Sequence, residues 1–367
     1  MKIGVDARPL AYPGNGNARY LFDMLSGLLP GGADFVLYSH RPVHPDYRSA
    51  LERLGATFRV DESWSAKTGL LFLNVRIPAW LAEDRCDVYW GSLSMLPFFA
   101  KSRLPCPSMV NFHDLNAFSA PETMTLANRL QHRLTNGHTL RNADRILCLS
   151  KTTLEDIAGR FPKTKPKLDL VYPGVEMKAI PARAPQSIEK LKSFYLMVGT
   201  IEPRKNQATV VNAYRAASKK RRLPPLVIVG RRGWGSDALF TELEGGIPGI
   251  HLVSNASDEE LEWCFQHATV YLFPSLHEGF GLPILEAALR KIPMVLSDIP
   301  VFREVGGRSF FVAPLDQNGW ERALLKPPRE KTSIDKREWS KKNRASVILK
   351  IASELAPGAQ RQPRPRK

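Results

Sequence analysis

Short apolar runs and amphipathic stretches alternate along nearly the whole chain. In the first half, runs of strand length fall at 2–5, 34–38, 87–89, 109–112, 145–148 and 169–171. Helical periodicity falls at 17–29, 47–54, 127–142 and 151–161. The stretch 178–190 has no period and carries Pro181 and Pro185 among basic residues, which reads as a linker. The scheme then restarts. Strands are expected at 194–198, 226–229, 270–273, 295–297 and 310–312, and helices at 207–219, at 258–267 and from Leu282. Such alternation predicts parallel sheets with crossover helices. The break between the two series predicts two doubly wound α/β domains facing a cleft, 1–178 and 179–335, with ligands outside the carboxyl ends of the strands. A last basic helix is expected over 338–355, within 336–356, its apolar members being Trp339, Ala345, Ile348, Leu349 and Ala352.

Composition narrows the class. A length of 367 residues suits two domains. Hydrophobic content of 43% is that of a folded globular chain, and no window is long and apolar enough for a membrane span. The start, Met1-Lys2-Ile3-Gly4-Val5-Asp6, reads as a first strand and not as a leader. Cys86, Cys106, Cys148 and Cys264 have no metal-type spacing, so reduced thiols and a cytoplasmic setting are expected. The net charge is +16. Between Lys326 and Lys367 thirteen basic residues face four acids, which places +9 of it in the final segment. The tail 357–367 is too proline-rich and charged to fold alone. It serves either as a solubilising tail or as an attraction to anionic lipid on the inner face of the plasma membrane. No zinc pair, RNA-recognition motif or basic-aromatic platform points to nucleic acid.

The densest chemistry is Glu278-Gly279-Phe280-Gly281-Leu282-Pro283-Ile284-Leu285-Glu286, between a predicted strand and a predicted helix. A glycine loop opening a helix presents backbone N–H groups that suit a phosphate. Carboxylates on either side accept hydrogen bonds from hydroxyl-rich groups. A sugar joined to a nucleoside by a diphosphate has that layout. An ordinary turn with Glu278 capping the helix would show the same spacing. A second segment, Gly199-Thr200-Ile201-Glu202-Pro203-Arg204-Lys205-Asn206, follows the first strand of the second series. Arg204 and Lys205 there can clamp a diphosphate; a solvated turn capped by Asn206 is the plainer alternative. In the first series His113 and Asp114 end a strand, and Gly14-Asn15-Gly16-Asn17-Ala18-Arg19-Tyr20 follows the opening strand.

These segments resemble, in order, the motifs of glycosyltransferase family 4: the E-x7-E signature at Glu278 and Glu286, the E-P-R-K-N element at Glu202–Asn206, the histidine-aspartate loop at His113, and the glycine loop at Gly14 and Gly16. The resemblance implies a retaining transferase of GT-B fold, similar to the mannosyltransferase-like branch, with the last helix, 336–355, crossing back to the N-terminal domain. It implies that Glu278 and His113 meet the sugar and Glu286 the ribose. Arg204 and Lys205, catalytic with Glu278 and His113, would hold the diphosphate with the helix start at Gly281 and Leu282, and Gly199, Thr200, Gly279 and Phe280 would bind the donor. Asn255 and Ala256 would line the base pocket. Gly14, Asn15, Gly16 and Asp114 would lie at the acceptor or phosphate side. Two departures stand out. Ala18 occupies the family's second glycine, and Arg290-Lys291 replace a common Cys-Gly, where a lysine does not suit a left-handed turn.

The chain contains no Asp-x-Asp, so activity is expected without a metal and without a cofactor. A nucleotide-sugar donor is expected, a GDP-sugar ahead of a UDP-sugar, and a glycan or lipid-linked acceptor in bacterial polysaccharide or lipopolysaccharide synthesis. The rival readings are a GT-B epimerase or phosphorylase, and a non-catalytic nucleotide-sugar or nucleic-acid binder.

Overall fold

The computed structural model describes residues 1–14, 16–121, 124–177 and 180–356. Asn15, the expected boundary at 178/179 and the basic tail 357–367 lie outside the described residues. The chain groups into two compact units, Met1–Glu176 with the chain from Arg337 onward, and Met177–Lys336.

The first unit is built on a seven-stranded sheet: β1 (Lys2–Asp6), β2 (Asp34–Ser39), β3 (Thr57–Val60), β4 (Val88–Gly91), β5 (Ser108–Phe112), β6 (Arg145–Cys148) and β7 (Leu168–Leu170). Their order is β3-β2-β1-β4-β5-β6-β7. The second unit has β8 (Phe194–Val198), β9 (Leu226–Val229), β10 (Ile250–Val253), β11 (Ala268–Phe273), β12 (Met294–Ser297) and β13 (Phe310–Val312), in the order β10-β9-β8-β11-β12-β13. Every pairing in both sheets is parallel. Helices cover the sheets, so central strands such as β4, β5, β9 and β12 are buried along their whole length. Both units are Rossmann-like.

Some elements carry too little pattern to be read from the chain. The helix Gly69–Glu83 is apolar on most sides and contains Pro78, so it shows neither a polar stripe nor a clean helical composition. Thr68 starts it, its hydroxyl accepting the Leu71 N–H at 3.1 Å. The edge strands β3 and β10 are only partly buried, so neither reads as the continuous apolar run of a strand covered on both faces.

The last helix, Lys341–Leu355, starts where Ser340 caps Asn343 N–H at 3.3 Å, three residues later than its apolar pattern suggests. It packs within the first unit on the helix Gly16–Leu28. Lys341 Nζ lies 2.7 Å from the buried Asp23 carboxylate. Arg145 bridges Asp169 and, at 2.9 Å, Glu354. Two glycines permit the approach. A Cβ on Gly27 would stand 2.7 Å from the Lys341 carbonyl oxygen, and one on Gly174 would stand 2.5 Å from Lys341 Cα. Backbone cannot swing aside as a side chain does. Gly27→Ala and Gly174→Ala are therefore expected to cost about 1–3 kcal/mol each in urea denaturation. Gly159→Ala, which meets nothing within 4 Å on the helix Lys151–Arg160, is expected to be neutral or to gain up to about 1 kcal/mol.

Candidate active site

The strand order of the second sheet reverses between β8 and β11. Loops leaving their carboxyl ends therefore diverge and form the crevice where such sheets bind ligands. β8 delivers Gly199 to Asn206, and β11 delivers Pro274 to Gly281. The two loops are tied together. Leu276 N–H donates to the Arg204 carbonyl at 2.8 Å. Asn206 Nδ2 donates to the Pro274 and Pro314 carbonyls at 3.1 and 2.8 Å. Asn206 is buried in the left-handed region, φ 54°, so it clamps the loops and is not a solvated cap. The β9 loop closes on the same place: a Cβ on Gly230 would stand 2.1 Å from the Gly199 carbonyl oxygen.

Glu278 sits at the junction, 9% exposed. One oxygen accepts from Lys205 Nζ at 2.6 Å and from Ser275 Oγ at 2.8 Å. The other lies 2.8 Å from Arg204 Nη1. Burial alone would raise the carboxyl pKa; Arg204, then Lys205, then the Ser275 hydroxyl reverse that and bring it to about 2. Arg204 is braced in turn by the His277 carbonyl at 3.0 Å and by Glu202 at 2.7 Å. Lys205 lies over the Phe273 ring, 5.0 Å from its centroid. Two acids and two cations thus occupy one small volume at the strand ends. The cations sit where a diphosphate could exchange for a carboxylate, and the carboxylate is ionised at any ordinary pH.

Gly281 begins the helix Leu282–Leu289 with φ 97°. Pro283 has no N–H and Ile284 N–H is bonded to the Gly281 carbonyl, so the N–H groups of Gly281 and Leu282 are what this helix start can offer a phosphate. Phe280 is buried. Glu286 is buried on the same helix, and the buried Tyr271 phenol lies near both acids. Burial first, then the charges of Glu286 and Glu278, push its pKa well up. Arg290 donates to the Glu286 carbonyl at 2.9 Å and pairs with Glu262. That links the Glu286 helix to the helix Asp258–His267, which Ser257 and Glu260 start as a capping box. Asn255 and Ala256 precede this helix at the end of β10, Asn255 in a left-handed turn, φ 54°. Lys291 also adopts a left-handed conformation, φ 56°. The sequence argued against such a turn there. The turn forms because Lys291 and Ile292 N–H close onto the Ala288 and Ala287 carbonyls and Ile292 is buried.

The remaining candidates belong to the first unit. Gly14 has φ 77°, and Gly16 opens its helix with nothing within 4 Å of a Cβ. Ala18 is fully buried. Its methyl faces the core, so the departure from glycine does not obstruct the loop. His113 Nε2 lies 2.8 Å from the Ser92 carbonyl oxygen, and its ring meets Tyr20 edge-on at 5.3 Å. Burial lowers its pKa against the smaller opposing effects of Ser92 and Asp114. The ring is then neutral near pH 7, with the proton on Nε2 and Nδ1 as acceptor. Asp114 accepts from Asn116 N–H at 3.0 Å and Asn116 Nδ2 at 2.8 Å, so both its oxygens serve a local turn.

Sequence reasoning assigned no role to Glu202, Phe273, Tyr271, Tyr20 or Ser92. Glu202 carried a signal as the acid preceding the Arg-Lys pair, and Tyr20 as the last residue of the glycine loop. Among the described residues, no three His, Cys, Asp or Glu side chains group so as to hold a metal ion.

Two family models match. "Glycosyltransferase Family 4" covers residues 14–178 and "Glycosyl transferases group 1" covers 181–328. The chain is 28% identical over 337 residues to the O-antigen chain mannosyltransferase B of Escherichia coli, covering 85% of this chain and 86% of that one. It is 25% identical to the O-antigen chain mannosyltransferase RfbU of Salmonella typhimurium, covering 87% and 89%. Its fold is similar to that of the HepE protein of Anabaena, solved with UDP and glucose (17% identity, TM-score 0.63, 97% and 95% covered). It is also similar to that of WaaG, a glycosyltransferase of lipopolysaccharide biosynthesis (16%, 0.64, 98% and 100%). The fold is GT-B.

Since the Glu278 pKa is depressed to about 2, its contribution to stability is complete above the unfolded carboxylate range and is lost as pH falls toward 2. Glu278→Gln is expected to be destabilised at pH 7 by an amount of order 3 kcal/mol. The gap to wild type should narrow in urea melts as the pH falls below about 4.5. A gap that widens on acidification would contradict the assignment.

Proposed function

Because the chain belongs to glycosyltransferase family 4, we propose that it moves a hexose, with retention and without a metal, from a nucleotide diphosphate donor to a growing bacterial glycan. Glycosyl transfer in polysaccharide or lipopolysaccharide synthesis is the activity of this class. The observation that carries the finer reading is the buried contact of Glu278 with Lys205 and Arg204 at the reversal of the second sheet.

The chemistry runs as follows. The bond from the anomeric carbon to the diphosphate oxygen breaks, and its electron pair stays on that oxygen. Arg204, Lys205 and the N–H groups at Gly281 and Leu282 neutralise the charge that develops there. Positive charge grows on the sugar ring, and the ionised Glu278 opposes it. The acceptor hydroxyl enters on the face the diphosphate leaves, and its proton passes to the departing phosphate oxygen. Glu286 is assigned the ribose hydroxyls, and Asn255 and Ala256 the base. The neutral His113, with Nδ1 as acceptor, suits a sugar hydroxyl. Mannose from GDP-mannose is the favoured donor, on the likeness to mannosyltransferases and on the histidine-aspartate loop. The acceptor is a glycan, carried on a lipid diphosphate in the favoured case. No described helix is long and apolar enough to cross a membrane.

A transfer assay tests this. Glu278→Ala and Lys205→Ala are each expected to lose at least about a hundredfold in rate, roughly 2.7 kcal/mol, and near-wild-type turnover in either would refute the roles. GDP-mannose should serve better than UDP-glucose. EDTA should leave the rate unchanged; complete loss restored by manganese would refute metal independence.

A further inference from the structure

The helix Leu126–Asn142 buries only its second half, and the first half, Leu126 to Leu134, stands exposed with a row of leucines on it. Its buried residues are Thr135, Asn136, Thr139 and Leu140. Leu126, Leu130 and Leu134, spaced four apart and so in one row, are 73%, 61% and 63% exposed. A helix of a globular protein normally does the reverse. Next to it a second anomaly stands. Phe99 is 69% exposed and holds a left-handed backbone, φ 62°, which is costly for a bulky residue. Its carbonyl accepts from Ser102 and Arg103 N–H at 3.0 and 3.1 Å, which holds that backbone turn.

The two features belong to one surface. His138, one turn beyond Leu134, has Nε2 3.0 Å from the Pro97 carbonyl oxygen, and its ring lies 5.4 Å from that of Phe98. Phe98 N–H donates to Asn74 Oδ1 at 2.7 Å. Asn74 lies on the helix Gly69–Glu83 between the exposed Leu71 and Val75. An open groove of about 550 Å³ runs among Phe98, Phe99, Lys101 and His138.

Charge says what fits this surface. The segments 67–82, 97–106 and 124–143 contain no Asp or Glu, but they contain Lys67, Lys101, Arg103, Arg129, Arg133 and Arg141. A second copy of the chain would bring cations against cations. An anionic bilayer supplies both an apolar interior for the leucine row and phenyl rings and negative headgroups for the rim. We infer that this face of the first unit docks on an anionic lipid surface. The Phe98 loop starts near Ser92, whose carbonyl holds His113. The inference rests on the surface and not on the transferase reading.

Co-sedimentation of the full chain with vesicles tests it. Wild type should bind vesicles containing about 30% phosphatidylglycerol, bind pure phosphatidylcholine far less, and be released by raised salt. Leu130→Glu with Leu134→Glu, and separately Phe99→Ser, should each weaken binding roughly tenfold or more while leaving the circular-dichroism melting curve unchanged. Truncation after Ala356 separates the tail: the truncated chain should retain binding that the leucine substitutions abolish. Two results overturn the inference. One is binding that depends on the tail and ignores the substitutions. The other is sedimentation showing that wild type self-associates through this face, with no vesicle binding.

Discussion

A buried carboxylate between two cations holds the second unit's site together. Moving Glu278 out of water is unfavourable unless its charge is matched nearby. Arg204, Lys205 and Ser275 supply that match from different segments, two of them from the loop after β8. The match works only if that loop and the one after β11 keep a fixed relation. Asn206 and the Leu276–Arg204 backbone bond fix it, and Gly230 lets the β9 loop close against Gly199. Electrostatics and backbone packing are therefore one constraint here. Loosening the loops would leave a buried charge without partners.

The same constraint suits the diphosphate donor proposed for this site. Preorganised cations stabilise charge that develops during reaction better than water, because they need no reorientation. Lys205 and Arg204 are already aimed into the strand-reversal crevice by the acid they pair with. Glu202, on the far side of Arg204, keeps the guanidinium from turning away. Glu286 is held less directly. Its helix is locked at one end by Gly281 and at the other by Arg290, whose pair with Glu262 reaches the helix that follows Asn255 and Ala256. Arg290, an oddity beside the family pattern, thus has a structural task.

The first unit shows a different economy. Its site residues rest on neutral contacts, with His113 set by one carbonyl and one aromatic edge. Its charge is spent elsewhere, on the Lys341–Asp23 and Arg145–Glu354 pairs that fasten the last helix and on a cationic rim around exposed leucines. A surface of that kind costs solubility. Together with the strained, outward Phe99 it fits the lipid docking inferred above.

Most of the strands and the alternating scheme were legible in the chain itself, because periodicity and turn chemistry are local, while β3, β10 and the apolar helix Gly69–Glu83 were not. Also legible were the glycine loops, the two glutamates and the Arg-Lys pair, whose spacing survives without any tertiary contact. Only the folded chain decided which acid those cations meet, since Lys205 and Glu278 lie 73 residues apart. It also decided that Ala18 points inward, that Lys291 accepts a left-handed turn, and that Asn206 clamps two loops. The exposed leucine row was hidden for the same reason. Its leucines have a perfect helical period, and period alone does not reveal which side of a helix meets the core.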